Sequence, residues 1–136
     1  MIMSEYQIEF IIYGDSFDPN LVSKELLITA TKQWLKGEAI HSHPKSPKRK
    51  ETCWRLTAPK MSGYYVEDGL MHIYQRLYSK QSEIIKLVKE HGLEVDLEIV
   101  IRFTETEDIP AVVIPPHILS FLASLNANLK VYTYAL

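Results

Sequence analysis

The sequence predicts a single-domain α+β sandwich: a mainly antiparallel sheet covered by helices on one side. Three observations lead there. Residues 93–103, LEVDLEIVIRF, alternate Leu93, Val95, Leu97, Ile99 and Ile101 against Glu94, Asp96 and Glu98. Such alternation marks a strand with one packed and one wet face, the habit of antiparallel sheets. Residues 67–91 place Leu70, Tyr74, Leu77, Ile84 and Val88 on one helical stripe, enough to cover a sheet on one side. Two distant segments, FIIYGDSFDPNLVSKELLI and VVIPPHILSFLASLNANLKV, share a plan of apolar strand, proline-started helix and apolar exit. That shared plan predicts pseudo-symmetric strand-helix-strand units.

In chain order, residues 6–13 (YQIEFIIY) alternate and then become wholly apolar, so a strand is expected to grow more buried along its length. Asp18 is a good helix N-cap and Pro19 a good first helical residue, giving a short helix over 19–27 whose apolar set is Leu21, Val22, Leu26 and Leu27. Gly37, Pro44 and Pro47 disfavour regular structure, and an irregular basic loop is expected at about 39–51. Residues 52–57 form a strand with Cys53, Arg55 and Thr57 on one face and Thr52, Trp54 and Leu56 on the other. The 67–91 helix should kink or divide near Ser79, Gln81 and Ser82. Its end at Gly92 suits a left-handed cap. A short strand over 111–114, a helix led by Pro115 and Pro116 with Ile118, Leu119, Leu122 and Leu125 inward, and a last strand over 129–134 complete the order.

The chain has 136 residues, one domain's length and enough to bury a core without cross-links. Its one cysteine, Cys53, cannot make an internal disulfide, which fits a reducing cytosol. The N-terminal MIMSEYQIEF lacks the cationic and apolar regions of a secretory leader. The uncharged stretch 109–129 is broken by Pro110, Pro115, Pro116, Asn126 and Asn128, unlike a membrane span of about 20 apolar residues. A cytoplasmic location with no membrane contact is expected. The formal net charge of −2 conceals a split: residues 32–60 hold eight Lys and Arg against two acids, and the remainder seven against fifteen. One segment is therefore suited to an anionic partner or to the acidic surface of a second copy.

That segment, KQWLKGEAIHSHPKSPKRKETCW, concentrates the candidate chemistry. His41 and His43 could touch one metal, but zinc wants three or four ligands and no further ligand is spaced to help. They are read as solvated loop histidines, and no metal or cofactor is expected. Lys45, Lys48, Arg49 and Lys50 could neutralise phosphates, with Trp34 and Trp54 as stacking platforms, yet no nucleic-acid-binding signature accompanies them. Cys53 has no base in sequence reach and is read as an inert strand cysteine. Trp34, Lys36, Gly37, Glu38 and Trp54 are the most distinctive group. They either close the core beneath the loop, with Gly37 making a turn and Lys36 pairing with Glu38, or line a groove. Glu94, Asp96 and Glu98 read as the wet face of the sheet, extended by Glu105, Glu107 and Asp108. Tyr132 and Tyr134 would add an interface-like surface there. No nucleophile elbow, phosphate loop, dinucleotide fingerprint or HExxH is present, so no catalytic residue is assigned and an enzyme is not expected.

Phe17-Asp18-Pro19, the "LLITAT" run of residues 26–31, Trp34 with Lys36-Gly37-Glu38, Trp54-Arg55-Leu56, and the closing ILSFLASLNANLKVYTY together resemble an uncharacterised bacterial family, domain of unknown function 4279, over residues 5–134. The chain departs from that family's habit at Ala30-Thr31, where a proline often precedes the threonine, and at Thr133, where an aspartate is frequent. Neither position is therefore given a role. The resemblance carries no established activity. It implies a small bacterial cytosolic protein, some relatives of which look like toxin-immunity components. The reading adopted is a non-catalytic protein-binding module, immunity-type or regulatory, with self-association open. Nucleic-acid binding through the basic loop and a small-molecule site near the tryptophans are the alternatives. The candidate binding residues are Trp34, Lys36, Gly37, Glu38, Lys45, Lys48, Arg49, Lys50 and Trp54.

Overall fold

The computed structural model describes residues 4–62, 65–104 and 111–135. Its centre is β1 (Glu5–Gly14), antiparallel to β3 (Thr52–Thr57) on one side and to β5 (Glu94–Phe103) on the other. β2 (Lys32–Trp34) forms one edge, antiparallel to β3, and β6 (Asn128–Ala135) the other, parallel to β5. The two-residue β4 (Met61–Ser62) pairs with the start of β1. The sheet is open and mixed, with β5–β6 the one parallel pair of the order β2-β3-β1-β5-β6.

Among the described residues four helices, α1 (Pro19–Leu26), α2 (Val66–Leu77), α3 (Gln81–His91) and α4 (Pro116–Ser124), build one core with a single face of the sheet. Ile8, Phe10 and Ile12 of β1, Trp54 and Leu56 of β3, and Leu97, Ile99 and Ile101 of β5 point into it. Period-2 alternation aims them there, and the helices meet them with Val22, Leu26, Leu70, Leu77, Ile84 and Phe121. Trp54 is fully buried, and its indole N–H donates to Ser23 Oγ on α1 at 2.9 Å, which satisfies the one polar atom that burial would leave bare.

The proline-started helices play matching parts at the two ends: α1 leads into edge strand β2, and α4 into edge strand β6. Asp18 caps α1 by accepting the Asn20 N–H at 3.0 Å. The 67–91 stripe divides as its serines and Gln81 suggest, with a 3-10 turn at Tyr78–Lys80 between α2 and α3. Gly92 takes the left-handed cap at φ 61°, where a Cβ is costly.

Three expectations need correction. Residues 111–114 form no strand: β6 already occupies the side of β5 away from β1, and Val112 and Ile114 pack against the core instead. Leu27 ends α1 as an exposed left-handed residue rather than a core leucine. On α4, Phe121 takes the inward place and Leu119 is exposed, because Ile118, Phe121, Leu122 and Leu125 make the continuous i, i+3, i+4, i+7 face. Glu105, Glu107 and Asp108 lie outside the described residues. No helix among those described is long and apolar enough to cross a membrane.

Candidate functional site

Among the described residues, no helix covers the second face of the sheet. Strand register lays its side chains in three rungs: Trp34, Cys53, Tyr13 and Glu94; then Lys32, Arg55, Ile11, Asp96 and Asn128; then Thr57, Glu9, Glu98 and Lys130. Above them folds the basic segment, residues 35–51, as an arm held by its own backbone. The Gly37 N–H donates to the Arg49 carbonyl at 2.8 Å, the Arg49 N–H to the Glu38 carbonyl at 2.7 Å, and the Ile40 N–H to the Pro47 carbonyl at 3.0 Å. Gly37 turns the chain at φ 90°, a conformation L side chains resist. Buried Ser46 accepts the His41 N–H, and buried Thr52 accepts the Lys36 N–H, each at 3.0 Å. The prolines and glycine that break regular structure are thus the corners of a defined arm.

Between arm and sheet lies a cleft of about 430 Å³. Ile11, Tyr13, Cys53, Arg55, Asp96, Glu98 and Lys130 form its floor; Ile40, Pro47, Lys48, Arg49, Lys50 and Glu51 reach it from the arm, and Trp34 stands at its side. The Arg49 guanidinium lies 3.8 Å from the Trp34 ring centroid and that of Arg55 at 4.9 Å, a cation–π arrangement that fastens the arm to the sheet.

Charges on the floor are mostly matched. Arg55 donates to Glu9 at 2.7 Å, and the Thr57 hydroxyl to the other Glu9 oxygen at 3.3 Å. Asp96 is buried. It accepts from Lys130 at 2.8 Å, Asn128 at 3.0 Å and the Tyr13 hydroxyl at 3.2 Å. The Tyr13 phenol is pushed up by burial and by its hydrogen bonding to Glu94 and Asp96. Glu98 differs. It stands directly across from Glu9, a like-charge pairing that is unfavourable, and makes no ion pair or hydrogen bond among the described residues. Burial pushes its carboxyl above the usual range; Arg55 and Lys130 oppose that, and Glu9 and Asp96 add to it. The thiol of Cys53 is also pushed up by burial, against the pull of Arg55.

The sequence-predicted residues separate. Trp34, Lys48, Arg49 and Lys50 come together at the cleft. Trp54 lies on the opposite face, in the core. Lys36 pairs with Asp15 rather than with Glu38; Glu38 and Lys45 are exposed and line no part of the cleft. His41 and His43 remain exposed, and no group of three or more metal-ligating side chains occurs among the described residues. Asp96 overturns the wet-ladder reading: β6 and Tyr13 enclose it. Sequence reasoning missed Glu9, Tyr13, Arg55, Asp96, Glu98 and Lys130 as one group. The usable signal was their shared parity on alternating strands, since polar residues off the core face must end on the other.

The chain belongs to the family described as domain of unknown function (DUF4279), whose profile matches residues 4–136. No curated protein and no solved structure matches it.

Proposed function

We propose that this protein is a non-catalytic binding module that takes a small ligand in the cleft beneath the basic arm. The observation that carries the reading is which charges are left unmatched. Arg55 and Lys130 have carboxylate partners, whereas Lys48 and Lys50 above and Glu98 below have none among the described residues. A ligand with a carboxylate or phosphate for the arm and an amine for Glu98 would satisfy both sides, and charge-assisted hydrogen bonds of this kind are the stronger ones. The volume of about 430 Å³ lies within the range of small-molecule sites. That favours a small ligand over the immunity-type or regulatory protein partner expected from the sequence. Nucleic acid is a poorer fit, because Arg49 and Arg55 already stack on Trp34, leaving the ring less free for a base. The non-catalytic part of the reading is supported by Cys53, whose raised thiol pKa works against a thiolate nucleophile.

Calorimetric titration with L-amino acids, and with inorganic phosphate as a probe lacking the amine, tests this. We expect a zwitterion to bind more tightly than phosphate, binding to weaken with salt, and Lys48→Ala/Lys50→Ala to lose about tenfold in affinity, or about 1.4 kcal/mol. The reading fails if no zwitterion binds at millimolar concentration, or if the double variant binds as well as the parent.

A further inference from the structure

The two edges of the sheet are built differently. β2 is three residues long, carries the exposed Lys32 and runs straight into the arm. A short, charged edge is the usual protection against strand addition. β6 is eight residues long, and β5 holds one of its sides. Among the described residues no strand pairs with its other side. It contains no proline, and it is rich in the residue types that favour strands: Val131, Tyr132, Thr133 and Tyr134. Leu129, Val131, Tyr132 and Tyr134 are all exposed. Its single charge, Lys130, is neutralised by Asp96 of the same chain at 2.8 Å, so it does not guard the edge.

We propose that β6 pairs antiparallel with β6 of a second copy about a two-fold axis, making one continuous sheet. Charge is what selects the occupant. With Lys130 matched internally, this edge offers nothing to a strongly acidic or basic strand, whereas two such neutral edges meet without repulsion. Symmetry adds to this. A two-fold axis normal to the sheet keeps each face on its own side, so a residue meets only residues of its own parity. Leu129, Val131 and Thr133 then meet one another's counterparts on one face. On the other, Lys130 meets a tyrosine of the second copy, Tyr132 or Tyr134, whenever the axis passes through Val131 or Tyr132. The interface is isologous and closes on itself, and both sets of outward backbone groups gain partners.

Sedimentation velocity of the full chain from micromolar to millimolar concentration tests the pairing, alongside Val131→Lys and Tyr132→Lys. Both substituted side chains are exposed, and unchanged thermal melts at low concentration establish that the variants fold. The expected result is a concentration-dependent dimer whose dissociation constant rises at least about tenfold in each variant, with β6 amides exchanging more slowly in the dimer. A parent that stays monomeric throughout overturns the proposal. So does a dimer that persists in both folded variants, or a β6 edge that captures a different protein in preference to a second copy.

Discussion

Trp34 and Trp54 sit on adjacent strands, β2 and β3, and end in opposite environments. Trp54 points into the helix-covered face, wholly buried, with Ser23 satisfying its indole N–H. Trp34 points to the other face, half-buried, with two guanidinium groups over its ring. One sheet thus has two differently stabilised sides. The helical side is dry and held by apolar burial. The arm side is held by ion pairs reaching between neighbouring strands, and leaves Glu98 unmatched. A residue's contribution follows from which side its parity assigns it to, more than from its type.

Truncating the two tryptophans probes that difference most strongly. Trp54→Ala should cost about 3–5 kcal/mol through the cavity it leaves. Trp34→Ala should cost about 1 kcal/mol or less, the scale of a partly exposed cation–π contact. Urea denaturation measures both, and equal costs would contradict the assignment of faces. Next in size is Asp96→Ala, which strips Lys130, Asn128 and Tyr13 of their shared acceptor. About 2 kcal/mol of stability should go with it, and a neutral result would show that the arm side contributes nothing to stability.

The smallest effect is expected at Glu98, and its sign is opposite to that of a salt-bridged acid. Its folded-state pKa is raised, so the unfolded chain releases this proton at lower pH than the folded one. Its contribution therefore falls as pH rises from the ordinary carboxylate value to the raised one, and stays low above that. Glu98→Gln should stabilise the protein at neutral pH, and the gain should vanish in acid. Thermal melts across that range check it; a gain independent of pH would point to packing instead of charge.

Much of the helical side was legible from sequence because it is locally encoded. Alternation in β1 and β5, the Asp18-Pro19 start, the division near Gln81 and the Gly92 cap are each written in a few consecutive residues. Parity also placed Trp54 with Leu56 on one face of β3. The cleft was far less legible. Its members come from five strands and the arm, and only the register of β1 against β3 and β5 sets Glu9 beside Arg55 and across from Glu98. Nothing local says that residues 35–51 fold back over the sheet, since the arm has no periodicity and its internal backbone hydrogen bonds join residues up to twelve apart. Asp96 was misread for a related reason: alternation tells which face a residue takes, and not what later covers that face.

One face of the sheet is closed core and the other an accessible, arm-roofed cleft. Fluorescence of single-tryptophan variants, with acrylamide as a neutral quencher, distinguishes the two. With Trp54→Phe, the remaining Trp34 should emit at longer wavelength and quench readily. With Trp34→Phe, the remaining Trp54 should emit at shorter wavelength and resist quenching. Equal emission and equal quenching in two folded variants would mean that the two faces are not closed and open as described.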